Sequence, residues 1–164
     1  MDKTNETIAA TATPPGEGGV AIVRISGPES KNIVAKLFRS LVAHDLWEPR
    51  KAYFGRFFDP DNKVDIDEVL VTWFQAPKSF TAEDIIEISS HGGVYVTSRV
   101  LQLVLHHGAR LAEPGEFTKR AFLNGRLDLS QAEAVSDLIH AERGKSLQIA
   151  LSQLRGNLSK SVND

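Results

Sequence analysis

The sequence predicts an α+β fold, a mixed sheet with flanking helices, followed by the start of an all-α helical domain. Three observations carry this. Short apolar or alternating runs bounded by turn residues recur from the N-terminus to about Ala112. Two amphipathic stretches with helical spacing interrupt them. From Pro114 onward the strand signals stop and only helical patterns remain. The resulting order, β-β-α-β-β-β-α-β and then helices, suits helices packed against a sheet. The boundary is expected near Glu113 to Thr118, giving a first domain over 1–118 and the beginning of a helical domain over 119–164.

Residues 6–12 and 19–26 are predicted strands, separated by TPPGEGG, which cannot be helical. Val20, Ala21, Ile22 and Val23 make the second strand nearly continuous in apolar character, which predicts burial on both faces. Ser26-Gly27-Pro28 ends it, and Pro28 suits the first turn of a helix, where its missing N–H costs nothing. Ile33, Val34, Leu37, Phe38 and Leu41 then form one apolar helical stripe. KAYFGRFF (51–58) and DEVLVTWFQ (67–75) predict a hairpin around DPDNK. Asp84 to Ser89 is an Ile-rich strand, and His91-Gly92-Gly93 turns the chain into a second helix over 94–107, ended by Gly108. Ala109 to Ala112 is one last short strand.

The region from Glu113 to Ile139 is dense in signals. Pro114-Gly115 is a break, and Phe117, Ala121 and Phe122 follow at helical spacing with Lys119-Arg120 facing away. Asn124-Gly125 ends that helix. Ser130 and Glu133 spell the S-x-x-E of a capping box. Glu116, Arg120, Asn124, Arg126 and Asp128 are expected to face solvent, and a cation on a short interhelical turn exceeds what a connector needs. Leu147, Leu151, Leu154 and Leu158 then recur in a heptad-like pattern, with Gly144 a possible interruption. Such a stripe must bury itself, by oligomerisation or against helices of a longer protein.

Composition narrows the chemistry. A net charge of −2 and a pI near 6.2 announce no nucleic-acid binding by basic excess. The absence of cysteine removes disulfides, thiol catalysis and cysteine-ligated zinc, and fits a cytoplasmic location. No apolar run approaches the roughly 20 residues of a membrane span, and MDKTNETIAA lacks the features of a signal peptide, so no membrane association is expected.

Several motifs fail on context. Gly16-Glu17-Gly18-Gly19-Val20-Ala21 matches G-x-G-x-x-A, but Pro14-Pro15 precedes it and a strand follows, which rules out a dinucleotide fingerprint. A loop that lets a ligand approach its backbone and a plain connector remain equal readings. Gly144-Lys145-Ser146 resembles the end of a phosphate-binding loop, yet the required first glycine falls on Ile139. His91-Gly92-Gly93 offers backbone donors at a helix N-terminus, without any G-x-S-x-G nucleophile. His106-His107 suits the carbonyls at a helix end better than a metal, and no catalytic residue or metal site is expected. Glu87 and Arg24 are charges embedded in apolar strands. They are either one structural ion pair or two walls of a polar ligand site.

Three blocks then carry a resemblance: TPPGEGGVAIVRISGP (13–28), SFTAEDIIEISSHGG (79–93) and EPGEFTKRAFLNGRLDLSQAEAVSDLIHA (113–141). In this order, over nearly the whole chain, they resemble the N-terminal part of the tRNA modification GTPases of the TrmE/MnmE type. The resemblance implies a tetrahydrofolate-binding domain like that of aminomethyltransferases, which also forms a homodimer, followed by a helical domain into which a GTPase domain is inserted. It implies a parent enzyme that modifies carbon 5 of the wobble uridine of certain tRNAs together with an FAD-dependent partner protein. A reduced folate, 5-formyltetrahydrofolate or methylene-tetrahydrofolate, supplies the one-carbon unit, and GTP, Mg2+ and K+ bind the GTPase domain. This sequence stops before that domain would begin and lacks the family's C-terminal cysteine motif. The family's folate-contacting positions fall on Arg24 in IVRISG, Glu87 in EDIIEI and Arg126 in NGRLDL. Arg126 stands where many members carry lysine, Ala82 replaces a frequent glycine, and Ser89-Ser90 precede His91 where the family varies.

The chemistry of these residue types matches a folate. A carboxylate accepts the adjacent N–H donors of a pterin, and arginines match its carbonyl and carboxylate oxygens. Two other classes compete: a dimerisation and docking module with no ligand of its own, and an RNA-contacting module using Lys119, Arg120 and Arg126.

Overall fold

The computed structural model describes residues 5–156. They form two compact units: the residues through Ser79 with Glu83–Pro114, and Phe80–Ala82 with the residues from Gly115 onward.

The first unit is built on seven strands: β1 (Ile8–Thr11), β2 (Ala21–Ser26), β3 (Phe38–Ser40), β4 (Ala52–Asp59), β5 (Val64–Phe74), β6 (Ile85–Ser90) and β7 (Arg110–Leu111). Their order across the sheet is β3-β4-β5-β6-β2-β1-β7. All neighbours are antiparallel except β1 and β7, so the sheet is mixed as the sequence predicts. Helices α1 (Ser30–Leu37) and α2 (Val94–His106) pack on one face. Val23, Ile25, Val71, Ile86 and Ile88 meet Ile33, Val34, Leu37, Val100 and Val104 in one buried core. Each such side chain contributes roughly 1.5–3 kcal/mol relative to exposure.

Strand β2 is not buried on both faces. Val23 and Ile25 are buried, whereas Val20, just before the strand, is 62% exposed, and Ile22 and Arg24 are half-buried. Both helices take the same side, so the other side lacks a helical layer within this unit. The apolar stripe of α1 also ends early. The helix stops at Leu37, Phe38 starts β3 with its side chain in the core, and Leu41 is fully exposed. The Phe38 ring packs over Gly55, where any Cβ would lie 2.6 Å from its Cε2. Pro28 precedes α1 rather than opening it. Thr7 Oγ1 accepts the Glu29 N–H at 2.9 Å and Ser30 Oγ donates to the Gly27 carbonyl at 2.7 Å, which fixes the start at Ser30.

The β4–β5 turn is organised by Asp59, whose side chain is buried. Its carboxylate accepts the N–H groups of Asp61 (3.0 Å) and Asn62 (3.1 Å), the Asn62 amide (2.8 Å), and Arg99 of α2 (3.0 Å).

The second unit holds α3 (Glu116–Leu123), α4 (Leu129–Ile139) and α5 (Gly144–Leu154). The capping box of α4 lies two residues earlier than expected: Asp128 accepts from the Gln131 N–H at 2.8 Å while the Gln131 side chain accepts from the Asp128 N–H at 3.0 Å. An aspartate satisfies the same orphan donors as a serine. Gly144 opens α5, so it does interrupt the apolar run, and α4 and α5 are two helices packed on each other. Ala134 and Ala150 are buried, and Gln131 Nε2 donates to the Leu154 carbonyl at 2.8 Å. Leu147 stays 39% exposed and Ile149 54%. Leu158 lies outside the described residues. Glu116 and Arg120, expected at the surface, are buried and paired one helical turn apart, while Phe122 is exposed. Among the described residues no helix is long and apolar enough to cross a membrane.

Candidate ligand site on the open sheet face

Arg24 and Glu87 are opposite one another in the β2–β6 register, on the face away from α1 and α2. Arg24 donates to Glu87 Oε1 from Nε at 2.9 Å and from Nη2 at 2.8 Å. Both bonds land on one oxygen, and no hydrogen bond from a described residue reaches Oε2. The two side chains keep 28% and 23% of their exposure, so the pair is reachable from solvent. Their row continues through small neighbours, Thr72 on β5 and Ala10 on β1. The sequence left an ion pair and a ligand wall as alternatives. The ion pair is present, and its geometry leaves a carboxylate oxygen for a donor.

The adjacent row on this face is Phe54–Leu70–Ser89–Ile22, matched strand by strand. Phe54 is 61% exposed, and a cavity of about 350 Å³ is lined by Phe54, Leu70, Ser89, His91 and Val20. Its size falls within the roughly 300–1,000 Å³ of ligand pockets.

His91, which lines this cavity, belongs to a pair not foreseen from the sequence. Asp67 at the start of β5 accepts the His91 backbone N–H through Oδ2 at 2.8 Å and contacts His91 Nδ1 through Oδ1 at 2.7 Å. This hydrogen bond, with the negative charge of Asp67, raises the imidazole above its ordinary value of 6.5. Asp67 is nearly buried and His91 largely exposed. The signal was the β5–β6 register alone, which brings residue 67 near residue 91 only once the strands are paired.

The glycine loop before β2 is held close to the same turn. A Cβ on Gly92 would collide with the Gly18 carbonyl, so residue 92 needs its bare backbone there. Beside this loop, on α2, is a second cavity of about 540 Å³ lined by Thr11, Thr13, Pro14, Gly16, Val94 and Leu101. Gly93 caps α2 at φ 134° without any side-chain hydrogen bond. His107 Nδ1 lies 2.8 Å from the Leu103 carbonyl, the helix-end contact expected of it.

Arg126 belongs to the second unit and is exposed. Its N–H bonds the Ala121 carbonyl at 2.9 Å after Gly125 turns at φ 74°, and its guanidinium lies 5.7 Å from the Phe80 ring. Asn124 fixes the same turn by donating to the Thr81 carbonyl at 2.8 Å. Among the described residues no group of three His, Asp or Glu side chains is arranged to hold a metal ion.

Residues 7–126 match the profile of a family described as GTP-binding protein TrmE N-terminus. The chain is 54% identical over 157 residues to the tRNA modification GTPase MnmE of Lactiplantibacillus plantarum, covering 96% of this chain and 34% of that protein. It is 56% identical over 162 residues to the MnmE of Moorella thermoacetica, covering 98% and 35%, and 53% identical over 161 residues to that of Geobacillus thermodenitrificans, covering 97% and 35%. The chain thus spans about a third of the length of these relatives.

Proposed function

This chain belongs to the family of GTP-binding protein TrmE N-termini, and from that premise we propose that it is the N-terminal portion of a tRNA modification GTPase that binds a reduced folate and mediates homodimerisation. The observation that carries the folate reading is the Arg24–Glu87 pair. An arginine on one oxygen orients the carboxylate, and Oε2 is left to accept from a pterin N–H. Small neighbours, Thr72 and Ala10, leave room for a flat ring over the sheet. The family resemblance adds Arg126 to the proposed folate contacts. When bound, the folate, as 5-formyl- or methylene-tetrahydrofolate, supplies a one-carbon unit for carbon 5 of a wobble uridine.

In the whole protein the same reading includes a GTPase domain with GTP, Mg2+ and K+, an FAD-dependent partner, tRNA as substrate and a cytoplasmic location. The chain itself contains no G-x-x-x-x-G-K-[ST], so it is expected to hydrolyse no GTP.

A docking role is the second reading, supported by the exposed apolar side chains of Phe54, Leu70 and Val20 on the open face. The RNA-contacting alternative loses one of its three cations, since Arg120 is buried against Glu116. Titration calorimetry of the chain with 5-formyltetrahydrofolate separates these. Saturable binding supports the folate reading, and no heat at millimolar ligand defeats it in favour of docking.

A further inference from the structure

We propose that His91, oriented by Asp67, is a further contact residue of the folate site and presents its Nε2–H to the bound ligand. The inference rests on the folate reading of Arg24 and Glu87.

Glu87 and Ser89 alternate onto the same face of β6, and His91, one residue beyond the strand, lines the same cavity as Ser89 and Leu70. Three residues at about 3.3 Å each put Ser90, the last of β6, roughly 10 Å from Glu87, and His91 follows it. A ligand with a two-ring head and an aromatic middle, held by its head at Glu87, extends along such a face over Ser89 and Leu70. The cavity of about 350 Å³ lies on that line, and His91 is part of its wall.

Asp67 is nearly buried and its carboxylate faces Nδ1 at 2.7 Å, so the ring carries its Nδ1 proton there. The Asp67 bond to the His91 backbone N–H, at 2.8 Å, fixes the residue as well as the ring. Nε2 is then the atom left facing outward. The charged groups acting on His91 are Asp67 and Glu68, both on β5, and both favour the imidazolium. A protonated Nε2 donates a charge-assisted hydrogen bond to a nitrogen or oxygen of the ligand. In this role Asp67 is a positioning residue and does not touch the ligand.

The sign of the pH dependence follows. The raised value of His91 keeps the donor form present below its ordinary pKa of 6.5 and removes it as pH rises through the raised value. Affinity for 5-formyltetrahydrofolate is expected to fall across that range.

The test is calorimetric titration of the 164-residue chain with 5-formyltetrahydrofolate between pH 6 and 9, with NMR of the His91 ring as a readout independent of activity. His91→Gln is expected to lose roughly tenfold in affinity at pH 6 and to flatten the profile. Asp67→Asn is expected to move the profile to lower pH while His91 is retained. Saturating ligand is expected to shift the His91 ring resonances. If Glu87→Gln weakens binding while His91→Gln binds like wild type at every pH, the inference is wrong and the folate reading stands. If wild type does not bind, or Glu87→Gln binds unchanged, both fall.

Discussion

Arg24 and Glu87 are registered partners across β2 and β6, and the arginine spends two hydrogen bonds, 2.9 and 2.8 Å, on one carboxylate oxygen. Removing the charge from one member of such a pair weakens what the pair binds. Glu87→Gln is expected to lower 5-formyltetrahydrofolate affinity by about tenfold or more. Calorimetry on a folded variant checks this, and an unchanged dissociation constant refutes the assignment.

Asp59 gives a stability prediction. The Asn62 side chain holds its carboxyl below the ordinary 3.8, helped by the Asn62 and Asp61 N–H groups and Arg99, against the opposing effect of burial. A depressed value means that the stabilisation is fully present above the unfolded-state pKa and is lost as pH falls through the folded one. Asp59→Ala leaves several of these donors unmatched and is expected to cost about 1–3 kcal/mol near neutral pH. Its melting temperature should converge on that of wild type as pH drops below 3.8. A constant gap at all pH values would contradict the role given to the ionised carboxylate.

Gly92→Ala tests the close approach of two loops. The new methyl would collide with the Gly18 carbonyl, and relieving that overlap is expected to cost about 1–3 kcal/mol. Thermal melts read the loss, and an unchanged melting temperature would mean that the glycine loop moves freely.

The position of the α4 cap separates two serviceable sequence signals. Asp128→Ala is expected to destabilise by about 1 kcal/mol, and Ser130→Ala by less than half of that. Urea denaturation of both variants decides, and the reverse order would restore Ser130 as the cap.

Homodimerisation is expected to use the first unit. Leu147→Glu and Ile149→Glu place charges on the exposed side of α5 and should leave the sedimentation coefficient of the dimer unchanged. A shift to monomer in either variant would transfer the interface to the helices.

The sequence by itself determined the α+β class, the places of most strands and helices, and the family, because period-2 and period-3.6 patterns and turn residues are local properties of the chain. It also singled out Arg24 and Glu87, since a charge between isoleucines or valines needs an explanation whatever the fold. What only the tertiary structure decided was non-local. Both helices chose one face, so β2 was not buried twice and the charged pair stayed reachable. Phe38 left the helical stripe to pack over Gly55, because the space beside a glycine depends on what packs there. Asp67 met His91, 24 residues away, only through the β5–β6 register. Pairing between strands is set by the summed burial of the sheet, and no single stretch of sequence encodes it.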